Sequence, residues 1–170
     1  YCDSEFQKRR TKYLESLNPS TIIIHSRFPI YLYDSGFNNG VGGNEYFSST
    51  HLGKNGNEDF NKRLNLIKNS FHKIVQVLLK NNHNIIFVDS VPTNGWDPIK
   101  RLFKIDSIYN LDVNENKRIS SLMEIPKENI LKRQYEINKI IKEISNQSNK
   151  IKMVESSSIL CNKNFCNSIN

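Results

Sequence analysis

The sequence predicts an α/β fold built on a parallel sheet, and three observations carry that expectation. Three short runs are rich in apolar and β-branched residues: Thr-Ile-Ile-Ile-His-Ser at 21–26, Asn-Ile-Ile-Phe-Val-Asp at 84–89 and Lys-Ile-Lys-Met-Val-Glu at 150–155. Long stretches of helical period lie between them. A glycine-rich loop follows the first run, where open α/β proteins build their sites. Strand, helix, strand, helix, strand in that order gives parallel strands joined by right-handed crossovers. Two of the runs are continuously apolar, as expected of strands covered on both faces. With 170 residues the chain is one domain, or part of a larger one.

Residues 5–17 read as a short basic helix, broken by Asn18-Pro19-Ser20. After the 21–26 strand comes Arg27-Phe28-Pro29-Ile30-Tyr31-Leu32, and then a loop to about residue 57 that holds six of the seven glycines. A loop of that length inside a compact domain points to function. Asn57 or Asp59 caps a long helix, in which Phe60, Leu64, Ile67, Phe71, Ile74, Val75 and Leu78 keep a helical period. Asn81-Asn82 ends it, because Asn tolerates the left-handed conformation. The 84–89 strand runs into a turn-rich loop at 90–98, and residues 99–103 read as a short helix. Residues 104–126 show no clear pattern. A helix over 127–145 places Ile130, Ile137, Ile141 and Ile144 on one face, and the 150–155 strand leads into a loop bearing two cysteines.

The formal net charge is +7. A nucleic-acid binder is one reading of that balance. The lysines, however, are scattered and interleaved with Glu and Asn, and no basic cluster carries interleaved aromatics, so nucleic acid is not an expected partner. His25, His51, His72 and His83 show no metal-ligand spacing, and neither metal nor cofactor is expected. Cys161 and Cys166 enclose Asn-Lys-Asn-Phe and form either a small disulfide loop or free thiols. The disulfide, worth about 2 kcal/mol on the chain-entropy estimate, is preferred, and with it an oxidising compartment. Cys2 is left over. No apolar run approaches bilayer-spanning length, and no signal peptide is expected at the start. Tyr1 in place of Met suggests a processed or truncated piece.

Three segments, in order, carry a resemblance. Arg27-Phe28-Pro29-Ile30-Tyr31-Leu32 with Ser35-Gly36-Phe37-Asn38-Asn39-Gly40-Val41-Gly42-Gly43-Asn44-Glu45 resembles the arginine-aromatic and "GFDNGEGG"-like segment of SGNH-type domains. Those domains are fused to membrane O-acyltransferases of the acyltransferase-three type. Val91-Pro92-Thr93-Asn94-Gly95-Trp96-Asp97-Pro98 resembles their "PIPEVGWDVP"-like loop, and the stretch from Ile159 to Cys166 resembles the cysteine loop before their last catalytic block. The match spans nearly the whole chain, which reads as a single partial SGNH-like domain.

The resemblance implies a three-layer flavodoxin-like (SGNH hydrolase-like) parallel sheet, incomplete here, on the extracytoplasmic, periplasmic face and attached to a membrane acyltransferase domain. It implies acyl transfer to a cell-surface polysaccharide as substrate. In that family a Ser in a Gly-Asp-Ser block attacks an acyl carbonyl, and an Asp-x-x-His block supplies the base and its orienter. This sequence contains neither block, so no catalytic residue is assigned. Asp3-Ser4 is a tempting substitute, but only one short helix separates it from the 21–26 strand, where the family has a further strand-and-helix unit. Asn38 stands where the family often has Asp, Val41 where it often has Glu, and Thr93-Asn94 replaces a Pro-Glu-Val-like stretch. A carboxylate expected near the site is missing.

The candidate oxyanion or substrate-binding residues are Arg27, Asn38, Asn39, Gly40, Gly42, Gly43 and Trp96. Arg27 either holds a carboxylate, phosphate or acyl oxygen bidentately or braces the glycine loop through carbonyl hydrogen bonds. The loop's Asn and Gly residues either present N–H donors or serve a structured turn. Trp96 either stacks on a sugar ring or packs the loop between two prolines. His25 reads as a hydrogen-bonded core histidine, Ser26 lacks the strained turn of an activated serine, and Arg133 reads as a solvated helix charge. Three function classes follow: an SGNH-like piece of a polysaccharide O-acyltransferase that is inactive alone, a non-enzymatic glycan-binding or scaffold module, and a small basic nucleic-acid binder.

Overall fold

The computed structural model describes residues 4–33, 36–45, 59–109, 119 and 121–167. In chain order the elements are α1 (Ser4–Ser16), β1 (Thr21–His25), α2 (Pro29–Leu32), β2 (Phe37–Asn38), β3 (Asn44–Glu45), α3 (Phe60–Lys80), β4 (Asn84–Val88), α4 (Pro98–Tyr109), β5 (Glu124–Pro126), α5 (Lys127–Ser145), β6 (Ile151–Val154), α6 (Ser156–Leu160) and β7 (Phe165–Asn167). The central sheet is parallel, with strand order β1-β4-β6. β2 pairs with β3 and β5 with β7, both antiparallel. This is an incomplete flavodoxin-like α/β arrangement, a three-stranded parallel sheet flanked by helices.

Register decides what the sheet buries. Ile22 lies beside Ile85 and Ile85 beside Ile151; Ile24 lies beside Phe87 and Phe87 beside Met153. Because side chains alternate along a strand, these six share one face. α3 brings Ile67, Phe71, Val75 and Leu78 to that face, and α5 brings Ile137, Ile140, Ile141 and Ile144. Both helices land on one side because β1, β4 and β6 step across the sheet in one direction, and right-handed crossovers then all pass over the same face. The other face, carrying Ile23, Lys152 and Val154, stays exposed, with Ile23 at 66%. Coverage of both faces, expected from the apolar runs, is therefore met on one face among the described residues.

Local signals set the helix ends. Asp59 caps α3 by accepting from the Lys62 N–H at 2.9 Å. Asn82 follows the helix in the left-handed region, at φ 62°. His83 is fully buried and ties three segments together. Its Nδ1 accepts from the Ser20 N–H at 3.0 Å, so the proton sits on Nε2, which donates to the Leu14 carbonyl at 3.1 Å.

Several elements differ from expectation. The helix expected over 99–103 runs from Pro98 to Tyr109. Asp97 starts it by accepting from the N–H groups of Ile99 and Lys100, and Pro98 sits at the first helical position, where its missing N–H costs nothing. β5, β7 and α6 were not expected; each is five residues or fewer, too short to display a period. His25 is not a core histidine. It lies exposed on the uncovered face of β1, with Nδ1 3.3 Å from the Val88 carbonyl. Asn57 as an alternative cap, and Cys2, lie outside the described residues.

Two outcomes are expected. Replacing His83 with Leu strands the Ser20 N–H, removes one of the two bonds to the Leu14 carbonyl, and should cost about 1–3 kcal/mol in urea unfolding. Among the described residues β1 is an unpaired edge, and such an apolar edge self-associates. Sedimentation should find the isolated chain associating, and Ile23→Lys should shift it toward monomer; a monodisperse parent chain would contradict this.

Candidate functional site

The site lies where β1 and β4 end. Beyond His25 the chain turns through Ser26 and Arg27 into α2, and beyond Val88 it enters the 90–97 loop. Open α/β sheets bind ligands at these carboxyl ends. Arg27 Nη2 donates to both oxygens of Glu45, at 2.8 and 2.7 Å. The pair and the 91–96 loop line a cleft of about 220 Å³. Glu45 was not singled out from the sequence, yet its carboxylate lines this cleft.

The glycine loop is held from within by Asn39, which is fully buried. Its Oδ1 accepts from the N–H groups of Val41 and Gly43, at 2.9 and 2.8 Å, and its Nδ2 donates to the Asn94 carbonyl at 2.7 Å. Its backbone N–H donates to the Gly43 carbonyl, and its own carbonyl accepts from Asn129 Nδ2 at 2.9 Å. Gly43 is squeezed between Asn39 and the Trp96 ring, where a Cβ would collide with both. Gly40 takes φ +78°, where L side chains are strained, with Asn129 against it. Gly42 projects into open space. Asn38 is exposed, and its Oδ1 accepts from the Gly40 N–H at 2.8 Å.

Trp96 has two sides to its environment. It packs against the small core of Phe37, Ile125, Ile130 and Cys166, and it also lines the cleft. The Arg101 guanidinium carbon lies 4.8 Å from its ring centroid, a cation–π contact. Its Nε1 is buried and has no hydrogen-bond partner among the described residues.

Beneath the cleft is a buried polar cluster. Asp89, fully buried, accepts from the Ser156 N–H at 2.7 Å and from Asn138 Nδ2 at 3.0 Å. The Ser90 carbonyl accepts from Gln134 Nε2 and from the Ser156 hydroxyl, and the Ser90 hydroxyl donates to the Ser26 carbonyl at 3.0 Å. None of these serines was expected to matter. The available signal was Gln134 and Asn138, polar residues four apart beside the apolar stripe of α5.

Arg133 is not the solvated helix charge expected. Its guanidinium carbon lies 4.3 Å from the Tyr33 ring centroid and 5.7 Å from that of Phe37. Burial lowers its pKa from the usual guanidinium value; the Tyr33 phenol and Glu45 oppose this, and Arg27 adds to it. Burial likewise raises the Tyr33 pKa, against the pull of Arg133.

The family model for the SGNH domain (fused to AT3 domains) matches residues 1–170. The chain belongs to the SGNH domain family. No curated protein and no solved structure matches it. For this SGNH domain, fusion of the family to AT3 domains supports a membrane acyltransferase domain in the longer protein. Among the described residues, no helix is long and apolar enough to cross a membrane, and no three His, Cys, Asp or Glu side chains are grouped to hold a metal ion.

The SGNH domain carries the Cys161–Cys166 disulfide, which closes the turn leading into β7. Cys166 is fully buried against Ile125 and Ile130. His25 and His83 bond to backbone atoms, not to a serine or a carboxylate. Ser4 opens α1.

The two kinds of site residue should separate by stability. Asn39→Ala removes a buried amide whose three partners then lack bonds, and should cost about 2–4 kcal/mol in denaturant unfolding. Arg27→Ala breaks a half-exposed ion pair and should change stability by less than about 1 kcal/mol. Equal losses would contradict the assignment of Asn39 as the internal brace.

Proposed function

We propose that this SGNH domain is the polysaccharide-facing part of a surface-polysaccharide O-acyltransferase, acting outside the cytoplasm, and that these residues alone do not catalyse acyl transfer. The observation that supports this most is convergence. Two of the three ordered segments that resemble the family lie far apart in sequence yet meet at one cleft, the first through Arg27 and Glu45 and the second through the 91–96 loop. The 161–166 loop packs beneath Trp96.

Chemistry supports the second half. Acyl transfer needs an activated nucleophile and a base within hydrogen-bond reach. Ser90 and Ser156 donate their hydroxyls to carbonyls, and neither Gly-Asp-Ser nor Asp-x-x-His occurs in the sequence. What the cleft offers is the binding half of the reaction: a fixed guanidinium and a structured loop beside it, the type of group that stabilises a developing oxyanion. The disulfide fits an oxidising compartment.

The test is acetate release from a generic aryl ester. The 170-residue chain should stay at the uncatalysed rate, whereas the longer protein with its membrane domain should acetylate surface polysaccharide and lose that activity on Arg27→Ala. Turnover by the short chain that survives Ser4→Ala would overturn the proposal.

A further inference from the structure

A second groove lies on the α5 side of the glycine loop, apart from the Arg27–Trp96 cleft. It encloses about 330 Å³ and is bounded by Tyr33, Phe37, Asn38, Asn129, Lys132 and Arg133. Phe37 is buried and the Arg133 guanidinium lies over the Tyr33 ring, so the groove presents a cation beside an aromatic ring. Asn38 is held by its Oδ1, which accepts from the Gly40 N–H. That fixes the amide plane and leaves the Nδ2 donor of an exposed side chain at the groove. Lys132 is exposed, and no hydrogen bond or ion pair engages it among the described residues. Glu45 is bound to Arg27; Glu128 and Glu136 lie one turn to either side of Lys132 on α5, Glu136 near enough to act on Tyr33, and neither forms an ion pair with Lys132 among the described residues.

We propose that this groove binds a carboxylated sugar unit, a hexuronate within an acidic polysaccharide. The proposal deepens the polysaccharide reading above and rests on it for the choice of ligand. The oriented amide donor of Asn38, with Asn129 also lining the groove, suits a pyranose ring bearing hydroxyls. The Lys132 ammonium and the Arg133 guanidinium suit a carboxylate, which a neutral glycan lacks. The groove and the cleft flank the same loop, so neighbouring units of one chain can occupy both.

Titration calorimetry with a hexuronate oligosaccharide, a neutral glucan oligosaccharide of equal length and a single-stranded oligonucleotide of equal charge tests this. The uronate should bind, and the neutral glucan should bind at least about tenfold more weakly. Lys132→Glu should weaken uronate binding about tenfold or more, the equivalent of losing one charged hydrogen bond. Asn38→Ala, which keeps the charge, should weaken the uronate and the neutral glucan alike. Added salt should weaken only the acidic ligand. No uronate binding, equal binding of both sugars, indifference to Lys132→Glu, or equally tight oligonucleotide binding would each overturn the proposal. Failure of the acyl-transfer reading shows separately, in the acetylation assay of the longer protein, which reads chemistry rather than affinity.

Discussion

The buried amide of Asn39 is the constraint on which the site depends. A loop rich in glycine loses more conformational entropy on ordering than any other chain of its length. Something must offset that loss, and no regular sheet is available, since β2 and β3 are two residues each. One side chain does most of it. Asn39 accepts two N–H groups from its own loop and donates to the carbonyl of Asn94, while Asn129 of α5 binds its carbonyl. In the low dielectric beneath the surface each of these bonds is strong, and each is costly to lose. The loop's shape is thus transmitted to the 91–96 loop and to α5, and the cleft and the groove on either side of it are set by the same residue.

A comparable role falls to Asp89 one layer below. The sheet's strands end at the site, and a strand end leaves backbone groups that need partners. Asp89 and the Ser90 carbonyl gather the start of α6 and the middle of α5, and the Ser90 hydroxyl adds the turn after β1 by donating to the Ser26 carbonyl. The sheet itself is supported unevenly. Both long helices cover one face, so the carboxyl ends are braced from that side, while Ile23 remains open on the other.

The framework was legible because it obeys long periods. α3 and α5 repeat apolar residues over about four turns or more, and the three strands are dense in Ile, Val and Phe, so α5 ends where the pattern places it. The extent of α4 was not legible, since Ile99 and Phe103 are exposed and only Ile105 is deeply buried, which blurs its period. β5 and β7 exist through their mutual pairing, Ile125 against Cys166, which no local pattern encodes. Within the site, the sequence marked the glycine loop but could not separate Asn38 from Asn39. Adjacent and identical, one faces solvent and the other is sealed inside. Glu45 went unnoticed because its significance is a distance to Arg27, eighteen residues earlier. Arg133 looked like any helix-surface charge, and only tertiary packing lays it on Tyr33.

The Arg27–Glu45 pair admits a sharper reading than a stabilising salt bridge. Its side chains are 43% and 26% exposed, and a pair so wetted contributes about 1 kcal/mol or less. Stability therefore does not explain why a guanidinium is clamped by both carboxylate oxygens at the mouth of a cleft. Geometry does. An unpaired Arg samples many rotamers, whereas Nη2 held between two oxygens anchors the end of the side chain at the cleft. Arg133 lies close enough for its own charge to feel both members of the pair. Two guanidinium groups, one paired with Glu45 and one laid on Tyr33, thus flank the glycine loop.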